Sequence, residues 1–169
     1  MAKRLKTKIG DIFSIPINEE EKRYMQLIAF DLNQLNSDVV RIFEKKYFHG
    51  ETPSIEDIIK DDVNSYVHCA VDFGIKLNLW DKIGNNNVIG DINKIIFRDS
   101  NDYGHKEGEE PILISNDWNI WRIKDEKFTR VKKLEGENRK SYVGLVINPY
   151  GILEIAKGNE YPLNYPTFE

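Results

Sequence analysis

A chain of 169 residues with 40% hydrophobic and 31% charged side chains is long enough to bury a real core and too apolar to remain disordered. Its formal charge of −4 and pI near 5.5 lack the basic surplus of a general nucleic-acid binder. One cysteine, Cys69, rules out an internal disulfide, and no apolar run approaches the ~20 residues of a membrane span.

In chain order, a basic start (Lys3, Arg4, Lys6, Lys8) leads into the first predicted strand. No apolar signal core follows Met1-Ala2-Lys3-Arg4, so secretion is not expected and cytoplasmic residence is. Strand one runs from Ile9 to Ile17, with Ile9, Phe13, Ile15 and Ile17 on alternate positions. Asn18-Glu19-Glu20-Glu21 makes a polar turn. Strand two runs from Arg23 to Phe30 and is apolar on both faces, the pattern of a central, doubly covered strand. Strand three is read from Val39 to Tyr47.

Thr52-Pro53-Ser54-Ile55-Glu56-Asp57 is the clearest helix start, with a hydroxyl cap, an early proline and carboxylates suited to the helix dipole. The longest period-two run follows. Ser65, Val67, Cys69, Val71, Phe73 and Ile75 share one face, so a single strand is expected from Val63 to Ile75, bent at Gly74. Leu77, Leu79 and Trp80 then lead to a turn at Gly84-Asn85-Asn86-Asn87. Asn101 to Pro111, with two glycines and several acids, reads as a loop. Ile112–Ile114 and Trp118–Lys124 read as strand, Asp125-Glu126 as a turn, and Phe128–Val131 as its returning partner. A last hairpin is expected from Tyr142–Ile147 and Ile152–Ala156 about a turn at Asn148-Pro149-Tyr150-Gly151. The residues 158–169 form an extended tail whose aromatics (Tyr161, Tyr165, Phe168) favour burial on the body.

These elements predict one domain over residues 1–169 of the α+β class, mostly β. The expected architecture is a strongly twisted, mainly antiparallel sheet or partial barrel with one or two short helices.

The chemistry-bearing residues form no catalytic pattern. His49, His68 and His105 lack ligand spacing, although His105 with Asp102, Glu107 or Glu109 is a conceivable divalent-metal set. Cys69 is expected to face the core between Val67 and Val71, while His68 points to the opposite face and cannot serve it as a base. Adjacent acids such as Glu19-Glu20-Glu21 and Asp61-Asp62 imply no shared proton. No phosphate loop, zincin helix or nucleophile elbow is present. Trp118 and Trp121 are three apart on one strand, so they face opposite sides; one belongs to the core, and the other either offers a surface anchor or packs structurally as well.

The opening Lys8-Ile9-Gly10-Asp11-Ile12-Phe13-Ser14-Ile15-Pro16-Ile17 resembles the start of the immunity protein 26 family of bacterial polymorphic toxin systems. The Tyr24–Phe30 strand, Val39-Val40-Arg41-Ile42-Phe43, Leu79-Trp80-Asp81-Lys82-Ile83-Gly84 and Trp118–Arg122 are similar to it as well. The resemblance covers about residues 8–125. Two departures stand out. Met25-Gln26 replaces the family's Gly-Arg in strand two, and Asn85-Asn86-Asn87 replaces a proline-rich segment after Ile-Gly.

The resemblance implies a non-catalytic protein that binds and neutralises a cognate toxin protein in the producing cell, with no cofactor. If that toxin is a nuclease, acidic surface would plug its basic cleft. The expected contacts are Glu19 and Glu20 in the first turn, Asp102, Glu107, Glu109 and Glu110 in the acidic loop, and Trp118 or Trp121 as anchor. The alternatives are a regulatory protein-binding domain and a small metal-dependent hydrolase. Some relatives are described as organophosphate hydrolases, a chemistry that three separated histidines poorly support.

Overall fold

The computed structural model describes residues 6–104, 107–159 and 165–169. Asn18 closes the first hairpin: its side-chain oxygen accepts the N–H groups of Glu20 and Glu21 at 2.8 and 2.7 Å. The turn joins β1 (Asp11–Pro16) to β2 (Glu21–Asp31), with Phe13 opposite Met25. β2 is buried along both faces, as its unbroken apolar run requires. β3 (Ser37–Phe43) follows, and the third strand ends there; Tyr47 belongs to β4 (Tyr47–Phe48), a short strand paired with β2.

Ser54 caps α1 (Ile55–Ile58) by accepting the Asp57 N–H, as its sequence predicts. Beyond it the expected long strand is corrected. β5 (Val63–Cys69) stops at Cys69, and Val71–Lys76 is a helix, α2. Val71 and Ile75 are four apart, so they satisfy a helical face as readily as a pleat; Phe73, the residue between them, is 51% exposed. The Asp38 carboxylate settles the bend by accepting the Val71 N–H at 2.8 Å. Where a turn was expected there is also a strand, β6 (Asp81–Asn85), an exposed edge whose polar residues carry no burial alternation.

β7 (Ile96–Ser100), β8 (Trp118–Arg122) and β9 (Thr129–Val131) form an antiparallel meander. The returning strand is therefore as predicted. Ile112–Ile114 is not a strand: all three side chains are exposed, and Ile114 makes one parallel bridge to Thr167. Through that bridge the described end of the tail lies on the body, with Phe168 edge-on to Trp118.

The expected last hairpin is corrected too. β10 (Tyr142–Val143) pairs parallel with β7, β11 (Val146–Ile147) pairs parallel with β5, and Pro149–Lys157 is a helix, α3. Asn148-Pro149 is a helix start rather than a turn: Asn148 accepts the Gly151 N–H, proline takes the first turn, and Gly158 ends the helix at φ 91°.

The fold is α+β and mostly β, with two mixed sheets, three short helices and no closed barrel among the described residues. The larger sheet has the order β11-β5-β3-β2-β1-β6, with β4 beside β2; the smaller is β10-β7-β8-β9. One face of the large sheet (Phe13, Met25, Leu27, Val67, Cys69) packs on α2 and α3. Its other face meets the small sheet through Ile28, Val39, Phe97 and Trp121, and α1 through Tyr24 and Ile58.

Cys69 faces the α2/α3 core as expected, and His68 faces the opposite way. Burial, with repulsion from Asp38, pushes the Cys69 thiol well above its ordinary 9.0. Above that pH the unfolded chain loses a proton that the folded chain keeps. The thiol's contribution is thus intact below pH 9 and declines as pH rises through the folded value. Between about pH 8 and pH 10, urea denaturation is expected to show stability falling by up to ~1.4 kcal/mol more than in Cys69→Val. Parallel curves for the two proteins would contradict this.

Candidate functional site

The small sheet is tied to the large one by a buried polar node at the end of β2. Asp31 Oδ2 accepts the Trp121 Nε1–H at 2.8 Å and lies 2.8 Å from His68 Nε2. A carboxylate can only accept, so Nε2 is the protonated ring nitrogen. His68 Nδ1 is buried without a partner, and the ring stands edge-on to Phe97 with centroids 4.2 Å apart. Asp31 and His68 are fully buried, so this pair has no access to a substrate and serves to join the sheets.

The other oxygen of Asp31 supports the surface turn that follows β2. Oδ1 accepts the Asn33 N–H and caps the 3₁₀ turn Leu32–Gln34. The turn is then clamped on both sides. Asn33 Nδ2–H donates to the Asp125 carbonyl, and Gln34 Nε2–H donates to the Gly144 carbonyl at 2.5 Å. Two residues beyond follow in the left-handed region, Leu35 at φ 59° and Asn36 at φ 53°. For a leucine that conformation costs about 1–2 kcal/mol. The result is a ridge with polar side chains tied down and two leucines turned outward, Leu32 82% and Leu35 89% exposed. The left-handed backbone at Leu35 thus holds that side chain out in solvent beside Leu32.

One groove adjoins the ridge, and a second opens beyond Gly144. The first, about 600 Å³, has a floor of Ile28 and Ala29, walls of Ile89, Ile92 and Ile123, and Leu32 on its rim. Its 86–92 wall is held by Arg41, buried beneath it. Arg41 NH2–H donates to the Val88 carbonyl and Nε–H to Gln26 Oε1, both at 2.8 Å, while Gln26 Nε2–H donates to the Asn86 carbonyl at 2.7 Å. Burial lowers the Arg41 pKa from its ordinary value. Gln26 and Asn86, 60 residues apart, thus meet in one contact that sets this wall. The second groove, about 620 Å³, begins one residue past Gly144 and is lined by Leu145, Val146, Tyr150 and Tyr103.

The residues expected to bind a partner are not brought together. Trp118 and Trp121 do face opposite sides of β8, but both are buried, at 0% and 1% exposed. Neither is a surface anchor, because each face of the small sheet is itself covered: Trp121 packs with Phe97, Ile123 and His68, and Trp118 with Leu134, Tyr165 and Phe168. Glu19 and Glu20 are exposed in the first turn, at the opposite end of β2 from the ridge. With 11 residues in that strand they stand roughly 30 Å away. In the acidic loop Asp102 accepts from the Ser115 hydroxyl at 2.7 Å, while Glu107, Glu109 and Glu110 are exposed.

His105, the imidazole of the conceivable metal set, lies outside the described residues. Among the described residues no three His, Cys, Asp or Glu side chains gather as metal ligands. No family model, curated protein or solved structure matches this chain.

The sequence reading passed over the ridge, although Asp31-Leu32-Asn33-Gln34-Leu35-Asn36 holds its signal: a capping aspartate and two leucines among amides, between two strands.

Proposed function

We propose that this chain is a cytoplasmic immunity protein that binds a cognate bacterial toxin and neutralises it by occlusion, without chemistry of its own. The resemblance of its opening strand and later segments supplies the class. The ridge supplies the means: Leu32 and Leu35 project from a turn anchored by Asp31, Asn33 and Gln34. Such a surface recognises a partner that offers apolar pockets, and because it is already ordered, binding costs little conformational entropy.

Burying each leucine in a partner is worth about 1.5–3 kcal/mol, roughly 10- to 150-fold in Kd. The test uses a toxin domain encoded beside this gene. The purified protein is expected to form a one-to-one complex with it and to abolish its activity. Leu32→Asp/Leu35→Asp is expected to keep its melting temperature and weaken that complex at least ~100-fold. A neighbouring toxin unaffected by a stoichiometric amount of the protein would overturn the proposal, as would a complex indifferent to both substitutions.

A further inference from the structure

Two buried cations of the large sheet are met by fixed oxygens. Lys22 Nζ–H donates to the His49 and Glu51 carbonyls at 2.9 and 2.6 Å. Arg41 donates to Gln26 and to the Val88 carbonyl, both at 2.8 Å. Each exchanges its water for an acceptor, as a charge in the interior requires. Arg23, the residue after Lys22, does not. It is 7% exposed, and its Nε and NH1 are buried with no acceptor among the described residues. It makes no ion pair there either.

The strand register fixes where this group lies. Arg23 stands opposite Ile15, and Met25 stands opposite Phe13. Cross-strand neighbours share a face, and Phe13, Ile15 and Met25 belong to the core beneath α2 and α3. Arg23 therefore leaves β2 on that side, close to the hairpin that joins β1 and β2, while Lys22 leaves on the other. The acid two residues before it on the strand, Glu21, accepts instead from the Asn18 side-chain amide at 3.0 Å.

We propose that Arg23 anchors an oxyanion site, one that takes a carboxylate or a phosphate at the hairpin end of the large sheet. A guanidinium carries its N–H donors in a planar fork that matches the oxygens of both groups. Apolar neighbours such as Ile15 exclude water and so strengthen the pairing. A neutral ligand would leave the charge uncompensated, and a cation would be repelled. The site lies at the opposite end of β2 from the leucine ridge and does not depend on the toxin reading.

The test compares the full chain with Arg23→Met and Arg23→Lys in chloride, acetate and phosphate at equal ionic strength. In chloride, Arg23→Met is expected to melt no lower than wild type, because it removes an unpaired buried charge and keeps much of the aliphatic stem. Acetate or phosphate should raise the melting temperature of wild type beyond any effect on Arg23→Met, and should shift the Arg23 Nε–H resonance. Arg23→Lys keeps the charge without the fork and should bind the anion about ten-fold more weakly. A stronger response to acetate assigns the site to a carboxylate, such as an acidic side chain of a partner. A stronger response to phosphate assigns it to a phosphate group. Equal melting shifts in wild type and Arg23→Met, or an unmoved Nε–H signal, overturn the proposal. A clear loss of stability in Arg23→Met in chloride overturns it as well, since the guanidinium would then be a structural group.

Discussion

Asp31→Ala is expected to destabilise the protein by about 3–5 kcal/mol, the range for removing one partner from a buried charged network. The carboxylate serves three donors from three parts of the chain: Trp121 Nε1–H from the small sheet, His68 Nε2–H from β5, and the Asn33 N–H from the ridge. Alanine leaves the indole and imidazole N–H groups buried with nothing to accept them, and opens a space where Phe97 and Trp121 pack. Asp31→Asn keeps one acceptor oxygen and should fall between wild type and alanine. Urea denaturation at neutral pH measures both, and an alanine variant within ~1 kcal/mol of wild type would show that the node carries little of the sheet-to-sheet stability. The same aspartate caps the turn beneath Leu32 and Leu35. In conditions where Asp31→Asn stays folded, the toxin binding proposed above should therefore drop further than its loss of stability accounts for.

Gly74→Ala is expected to cost about 3 kcal/mol or more, at the upper end for overpacking. A Cβ on Gly74 would lie 1.8 Å from Trp80 Cζ2 and 2.2 Å from Cε2, inside the ring itself. The indole cannot swing clear, because its Nε1–H donates to the Val71 carbonyl at 3.1 Å and it is 1% exposed. Trp80→Leu alone should also destabilise, by leaving a cavity. Combined with Gly74→Ala the cost should be well below the sum of the two, since the smaller side chain makes room for the methyl. Additive losses would show that the steric argument is wrong. The molecule uses this device twice: a Cβ on Gly144 would meet Trp121 Cη2 at 2.1 Å, at the residue whose carbonyl holds Gln34 and hence the ridge.

Both tests concern places where residues far apart in the chain meet. The first hairpin, the doubly covered β2, the Ser54 cap, the facing of Cys69 and the opposed tryptophans were all legible in the sequence. Each depends on residues within a few positions of one another: a two-residue alternation, an apolar run, a hydroxyl before a carboxylate. The Val71–Lys76 and Pro149–Lys157 segments were ambiguous at that range. Val71 and Ile75 fit a pleat or a helix, and Asn148-Pro149 opens a turn or a helix equally well. Asp38 and the glycine seat beneath Trp80 resolve the first; burial of Ile152, Ile155 and Ala156 on the large sheet resolves the second.

The sequence by itself determined the class of the fold: an acidic α+β chain, mostly β. Only the tertiary structure decided which large apolar side chains lie at the surface. It withdrew both tryptophans into cores, because the tail covers one face of the small sheet and the large sheet covers the other. It also raised Leu32 and Leu35 into solvent, through bonds to Asp125 and Gly144 that span 92 and 110 residues. Hydropathy assigns leucine to the interior, and no local pattern encodes a hydrogen bond made a hundred residues away, so that surface emerges only when the chain has closed on itself.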